Sequence, residues 1–187
     1  MQNQEQQTPH KKAPRWSVQD LVVIGVFSAA AKISTMLVAL MGGGPNPVGL
    51  MAKNLIFTTM LVVMMYKVRV QGTMLLFICI NMIISMLLLG ASVTLLPAML
   101  LAGIMAEAAV LGTGGMQRSW GPILAVAVYD LTSKLLSIGT SWLFMRENVG
   151  MVVMIIPIVA IGYVGSLAGL FTGKKAVKEL QHAGIIR

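Results

Sequence analysis

Six long apolar runs constrain this chain more than any other feature of its sequence. A helix needs about 20 apolar residues to cross the hydrocarbon core of a bilayer. The runs occupy residues 21–41, 49–66, 73–91, 94–113, 121–145 and 149–171. Gly90, Ser92 and Thr94 separate the third run from the fourth. Pro97 suits the first turn of a new helix. The pattern predicts an all-α integral membrane protein with six transmembrane helices.

The composition agrees with a chain that lies mostly in lipid. Hydrophobic residues make up 57% of the sequence and charged residues 11%, whereas soluble domains carry about 25% charged residues. We therefore predict a disordered cytoplasmic tail at 1–16, a six-helix membrane domain at 17–173 and a basic cytoplasmic tail at 174–187. Ser17 and Asp20 resemble a capping box at the start of the first helix. Because the first twenty residues are polar, we expect no cleaved signal peptide.

The lysines and arginines of the connecting segments predict the orientation, since cytoplasmic loops carry an excess of both. With six spans, the two termini lie on one side of the membrane. That side would hold Lys11, Lys12, Arg15, Lys67, Arg69, Arg118, Lys174, Lys175, Lys178 and Arg187. The opposite side would hold only Arg146. The bias predicts that both termini are cytoplasmic.

A small set of polar residues lies inside the predicted spans, where an ionisable side chain costs about 2.5–3.5 kcal/mol on insertion scales. The set consists of Lys32, Lys53, Asn54, Asn81, Glu107, Asp130 and Lys134. Such residues normally face the interior of a bundle, so each is a candidate functional residue. The three lysines are expected at or above the midplane, toward the outer side. Glu107 is expected nearer to the cytoplasm.

The fifth span carries the clearest polar stripe. Asp130, Lys134, Ser137 and Ser141 recur at helical spacing. Asp130 and Lys134 can form an ion pair one turn apart. Two interpretations follow: the pair only neutralises itself, or the stripe lines a cavity in which Asp130 tunes Lys134.

The remaining polar residues also have structural interpretations. Lys53 can extend its side chain to the outer interface, whereas Lys32 would need a longer reach and is better explained by a buried role. Asn81 and Ser85 can bond a neighbouring helix. Glu107 follows a small-residue stripe and is better explained as a packing or interface carboxylate.

Several chemistries lack the residues that they require. Both histidines, His10 and His182, lie in the tails, and Cys79 is the single cysteine, so we expect no metal site and no cofactor. The sequence has no Walker A motif and no Ser–His pair inside a span, which predicts that the chain is not an enzyme. The net charge of +8 comes from residues that flank apolar runs, which does not indicate nucleic-acid binding.

Two stretches resemble the substrate-binding S component of energy-coupling-factor (ECF) transporters. LVVIGVFSAAAKI in the first span is similar to that family's AxxxA element, with Gly25 and Ala29 in the places of the two alanines. GYVGSLAGLFTGKKAVKELQHAGI is similar to the end of a subgroup whose substrate is poorly defined. The resemblance implies a bacterial cytoplasmic-membrane subunit that captures a vitamin-like solute. It also implies two kinds of partner, a transmembrane T subunit and two cytoplasmic ATPases.

The resemblance assigns the small-residue face of the first span to docking on the T subunit. Gly25 and Ala29 form that face, and Ala30 with Ser34 forms a second small face that is the other candidate. Lys32 falls almost on the stripe of Gly25 and Ala29. Either the T subunit or the substrate pocket can therefore be its neighbour.

The resemblance also implies that the loop between the first two spans, GGGPNPV, closes over bound substrate. Its prolines stiffen the loop and its glycines give hinge freedom, although an ordinary tight connection would have the same composition. The predicted substrate-binding residues are Lys32, Pro45, Asn46, Pro47, Lys53, Asn54, Asn81, Asp130 and Lys134. Their lysines favour an anionic solute. The competing hypothesis is a membrane scaffold or assembly subunit whose intramembrane polar residues make only helix contacts.

Overall fold

The computed structural model describes residues 16–41, 46–89, 96–145 and 149–186. This part of the chain is helical and contains no strand. The helices are α1 (Val18–Met41), α2 (Pro47–Lys67), α3 (Thr73–Leu89), α4 (Leu96–Gly112), α5 (Gly121–Met145) and α6 (Val149–His182). The predicted all-α class is confirmed.

Four of the helices are long and apolar enough to cross a membrane: α1, α2, α5 and α6. α3 and α4 are apolar but have 17 residues each, which gives a rise of about 25 Å against a hydrocarbon core of about 30 Å. The sequence predicted longer runs because it divided residues 90–95 between these two helices, and those residues lie outside the described ranges. Six complete spans, and the cytoplasmic location of the termini, stay predictions.

The first two helices begin with side-chain caps. Asp20 Oδ2 accepts from the backbone N (3.0 Å) and the Oγ (2.8 Å) of Ser17, and Ser17 Oγ accepts from Asp20 N at 3.1 Å. These bonds confirm the predicted capping box. At α2, Asn46 Oδ1 accepts from the backbone N of Val48 at 3.0 Å, and Pro47 occupies the first turn.

α6 packs against α2 along a face of glycines spaced four residues apart. A Cβ added to Gly165 would lie 2.4 Å from the Met51 carbonyl oxygen, and one on Gly169 would lie 2.8 Å from the Leu55 carbonyl oxygen. Small residues at this spacing let two helix backbones approach closely. The close approach brings the polar residues on the first half of α2 against the interior of the bundle.

α6 extends beyond the predicted end of its span at 171 and continues to His182. The segment predicted as a basic tail is therefore largely helical, because it has no glycine or proline between 174 and 182 and its apolar Val177 is buried. Gly184 ends the helix with φ 71°, a conformation that glycine adopts readily. Lys67 Nζ donates to the carbonyl oxygen of Ile185 at 2.5 Å, which holds this end against α2.

Glu107 has a structural role at the start of α3. Its side chain is buried, and Oε1 accepts from the backbone N of Met74 at 3.0 Å. The first N–H groups of a helix lack partners within the helix, so this carboxylate on α4 caps α3. The interpretation of Glu107 as a packing carboxylate is confirmed.

The apolar core and the polar side chains occupy different halves of the bundle. The core contains the end of α2 (61–66), the start of α3 (Met74, Phe77, Ile78) and the start of α5 (Ala125, Val126). The other half holds the end of α1, the start of α2 and the middle of α5, where most of the intramembrane polar residues lie. The apolar core therefore packs one end of the bundle, and the polar side chains lie at the other end.

Candidate functional site

A cavity of about 420 Å³ lies among α1, α2, α3, α4 and α5 in the polar half of the bundle. It is lined by six of the nine residues that the sequence predicted to bind substrate: Lys32, Lys53, Asn54, Asn81, Asp130 and Lys134. Asn46 and Pro47 do not line it, and Pro45 lies outside the described residues. The structure thus brings together residues from four helices that the sequence could only place at similar depths.

The polar stripe of α5 faces a matching stripe on α2. Lys134 Nζ donates to Asn54 Oδ1 at 2.6 Å, and Thr58 Oγ1 donates to Asp130 Oδ2 at 2.8 Å. Asn54 and Thr58 are one helical turn apart, as are Asp130 and Lys134, and the two helices present these pairs in opposite order. Two short interhelical hydrogen bonds therefore join α2 to α5 at the base of the cavity.

Asp130, Lys134 and Ser137 all line the cavity, as one of the two interpretations of the α5 stripe expected. Asp130 and Lys134, both described, make no direct ion pair with each other, and each bonds a neutral partner on α2 instead. The Asp130 carboxylate is buried at 4% exposure, and the Ser166 hydroxyl lies beside it, buried and without a hydrogen bond of standard geometry. Ser141, the last member of the predicted stripe, does not line the cavity.

Lys32 reaches into the cavity from α1. Its Nζ donates to Ser85 Oγ on α3 at 2.5 Å. The sequence left open whether Lys32 faced the pocket or the outer surface, because its position on the helix is close to that of Gly25. A Cβ added to Gly25 would meet nothing within 4 Å among the described residues. The long lysine side chain turns inward from the edge of a face that is otherwise open.

Lys53 lies at the mouth of the cavity and is exposed. Within the described part of the chain, its ammonium group makes no hydrogen bond and no ion pair. Three lysines and one carboxylate line the cavity, so its formal charge is positive. Lys53 is the cation that is most available to a molecule entering from solution.

Asn81 lies deeper and is buried. Its Nδ2 donates to the carbonyl oxygen of Phe77, one turn earlier on the same helix, at 3.1 Å. The interhelical bond on α3 is made by Ser85 instead. Asn81 therefore contributes an amide to the cavity wall from a position that its own helix fixes.

Thr58 and Tyr129 are among the residues of the site that sequence reasoning missed. Thr58 is fully buried and holds the Asp130 carboxylate, and Tyr129 lines the cavity at 3% exposure. Thr58 could have been found from its helical spacing to Asn54. Nothing in the pattern separates Tyr129 from an ordinary apolar packing residue.

Asn46 and Pro47 stabilise the start of α2. Asn46 caps the helix and Pro47 begins it, and both are exposed. Gly42, Gly43 and Gly44, like Pro45, lie outside the described residues, so the predicted closure of their loop over a substrate stays a prediction.

The small residues predicted to dock a partner lie on or beside the outward face of α1. Gly25 and Ala29 share helical spacing with Val22, Val26 and Ile33, each of which is at least 58% exposed. Ala30 is half-buried and lies at the edge of this face. Their docking role stays a prediction, but they are accessible from outside the bundle.

Apart from the Asp130 carboxylate, the polar groups that line the cavity are cations, amides and hydroxyls, which are suited to holding oxygen acceptors in a fixed orientation. Among the residues described by the structure, no group of three His, Cys, Asp or Glu side chains could hold a metal ion.

Residues 18–152 match a protein family described as "Hypothetical bacterial integral membrane protein (Trep_Strep)". The matched region includes all the residues that line the cavity. No curated protein and no solved structure matched the chain.

Proposed function

The chain belongs to the Trep_Strep family of bacterial integral membrane proteins. We propose that it is the substrate-capture subunit of an ECF-type micronutrient importer. It binds a small anionic, vitamin-like solute in the cavity at the polar end of the bundle. A T subunit and two ATPases then drive its delivery across the bacterial cytoplasmic membrane. The cavity with three lysines and one carboxylate carries this proposal.

The charge arrangement favours a ligand site over a purely structural role. A charged residue inside a span is unfavourable, and it is normally paired or turned toward a water-filled cavity. In a scaffold we would expect the lysines to be neutralised by carboxylates within the bundle. Instead Lys32 and Lys134 bond neutral side chains, and Lys53 has no partner in the described part of the chain. The excess positive charge is complementary to an anion.

The size of the cavity supports a small solute. Ligand pockets commonly measure about 300–1,000 Å³, and the cavity of about 420 Å³ lies at the lower end of that range. Phe57 and Tyr129 supply aromatic surface beside the lysines. This combination suits a molecule with a carboxylate or phosphate on a compact organic ring or chain.

In this proposal the ATPases are separate subunits, since the sequence has no Walker A motif. The outward face of α1 is the proposed contact with the T subunit. Gly25 and Ala29 would let a partner helix approach closely there, in the same way that the glycines of α6 admit α2.

The test is co-purification from the native bacterium with an affinity tag on the chain. The proposal predicts that a second membrane protein and ATPase subunits elute with the tagged protein. Purification of the Gly25→Leu variant should lose them, whereas the variant Gly139→Leu, at another open helix position, should keep them. Recovery of the wild-type chain without ATPase subunits would favour the scaffold hypothesis.

A further inference from the structure

A second cavity, of about 410 Å³, lies at the opposite end of the bundle, between the end of α2 and the last turns of α6. Four of its nine lining residues are basic: Arg69, Lys174, Lys175 and Lys178. None of the described residues in its lining is acidic. Glu179 follows Lys178 in sequence but does not line the groove. We call this cavity, with its four basic lining residues, the basic groove.

Arg69 packs against an aromatic ring in the groove, and one of its hydrogen-bond donors has no acceptor within the described residues. Its guanidinium carbon lies 5.2 Å from the centroid of the Tyr66 ring, and the Tyr66 hydroxyl donates to the carbonyl oxygen of Ser119 at 2.6 Å. Arg69 Nε is buried and has no hydrogen-bond partner within the described residues. A buried donor without an acceptor is unfavourable. The guanidinium is thus fixed by an aromatic ring and still lacks an oxygen acceptor.

The lysines of α6 place several positive charges close together in the groove. Lys174 and Lys178 are one helical turn apart, and like charges at that spacing repel each other. No ion pair relieves them within the part of the chain that the structure describes. An anion in the groove would reduce the repulsion and lie beside the Arg69 guanidinium. Arginine and lysine together are the usual protein groups that bind phosphate.

An exposed aromatic side chain adjoins these charges. Phe171 lines the groove one turn before Lys174 and Lys175, and it is 77% exposed. A soluble phosphate would gain nothing from this apolar wall. A phospholipid would place its headgroup phosphate among the cations and its acyl chain along the ring.

We propose that the basic groove binds the headgroup phosphate of an anionic phospholipid. Basic pockets between helices on the cytoplasmic side of membrane proteins bind such headgroups, and the predicted orientation places this end on that side. Arg69 holds the phosphate oxygens, the α6 lysines neutralise the headgroup, and Phe171 contacts an acyl chain. This assignment is independent of the proposed transport function, since it uses no residue of the other cavity.

Native mass spectrometry of the full-length detergent-solubilised protein tests the assignment. With equal amounts of phosphatidylglycerol and phosphatidylcholine added, the protein should retain phosphatidylglycerol preferentially. Arg69→Gln combined with Lys178→Gln should weaken retention about tenfold or more, because charge-assisted hydrogen bonds are the strong ones. Arg118→Gln removes a basic residue on the same predicted side but outside the groove lining, and should retain the lipid.

Two further measurements show whether the bound phosphate belongs to a lipid or to a soluble anion, and whether loss of binding comes from misfolding. Inorganic phosphate at millimolar concentration should not displace phosphatidylglycerol; displacement would assign the groove to a soluble phosphate and overturn the lipid proposal. Lys174→Gln alone changes an exposed residue and should reduce retention even if the double variant fails to fold. Equal retention of both lipids by the wild-type protein, or unchanged preference in a folded Lys174→Gln, would also overturn it.

Discussion

Replacing Thr58 by valine tests whether Asp130 carries its charge in the folded protein. Valine has the shape of threonine, so the substitution removes a single hydroxyl at a fully buried position. That hydroxyl donates to Asp130 Oδ2 at 2.8 Å. A hydrogen bond to a charged group is worth about 1.5–3 kcal/mol. The free energy of unfolding should therefore fall by about that amount.

The neighbouring Thr59 provides a matched control. Its hydroxyl lies 2.6 Å from that of Thr172 and 3.2 Å from the carbonyl oxygen of Gly169, all of which are neutral groups. Bonds between neutral groups contribute about 0.5–1.5 kcal/mol, so Thr59→Val should cost less than Thr58→Val. Unfolding of both variants in mixed micelles, titrated with sodium dodecyl sulfate, measures the difference. Equal costs would refute the charged state of Asp130 and with it the charge balance assigned to the cavity.

Three further substitutions test other parts of the account. Lys53→Ala should weaken binding of the captured solute about ten- to a hundredfold by calorimetry with little loss of stability, while Lys67→Ala, at the other end of α2, should leave affinity unchanged; equal affinities would return Lys53 to a surface role. Gly25→Leu should preserve solute binding and abolish ATP-dependent uptake in cells, whereas loss of binding in a folded variant would mean that α1 is assigned the wrong way round. Gly165→Ala should lower the free energy of unfolding by about 1–3 kcal/mol, because the new Cβ meets the backbone of α2. Gly139→Ala, where a Cβ meets nothing within 4 Å, should leave the free energy of unfolding unchanged. Equal stabilities of the two variants would show that α2 and α6 separate without cost.

The sequence was sufficient for the all-α class and for the order of the described helices because apolar length is a strong signal. The helix start at Ser17 was predicted for a similar reason, since a capping box acts locally, whereas the cap at Asn46 was not predicted. The helix of α6 continues past the predicted end of its span because hydropathy falls at Lys174 although helix propensity does not. Gly165 and Gly169 face the backbone of α2, while Gly162 and Gly173 face side chains of that helix. This packing face was not predicted from the sequence.

Six members of the candidate site were predicted from the sequence, but their contacts were not. Helical spacing placed Asp130 and Lys134 on one face. Within that helix, each is the nearest oppositely charged residue to the other. The structure prefers interhelical partners because α2 presents Asn54 and Thr58 at the same spacing. Which helix faces which is a property of the packed bundle, and a pattern along one helix does not contain it. The inward turn of Lys32 has the same origin.

Mass spectrometry of small molecules released from the purified protein tests the central claim most directly. The chain is purified from its native bacterium in mild detergent, denatured, and its released solutes are compared with those from Lys53→Ala and Lys134→Ala. Lys134→Ala removes the cation that Asn54 holds in the cavity. The account predicts one small anionic solute in near-stoichiometric amount from the wild-type protein, and a strongly reduced amount from both variants. A folded wild-type protein that releases no solute, or variants that release as much as the wild type, would contradict it.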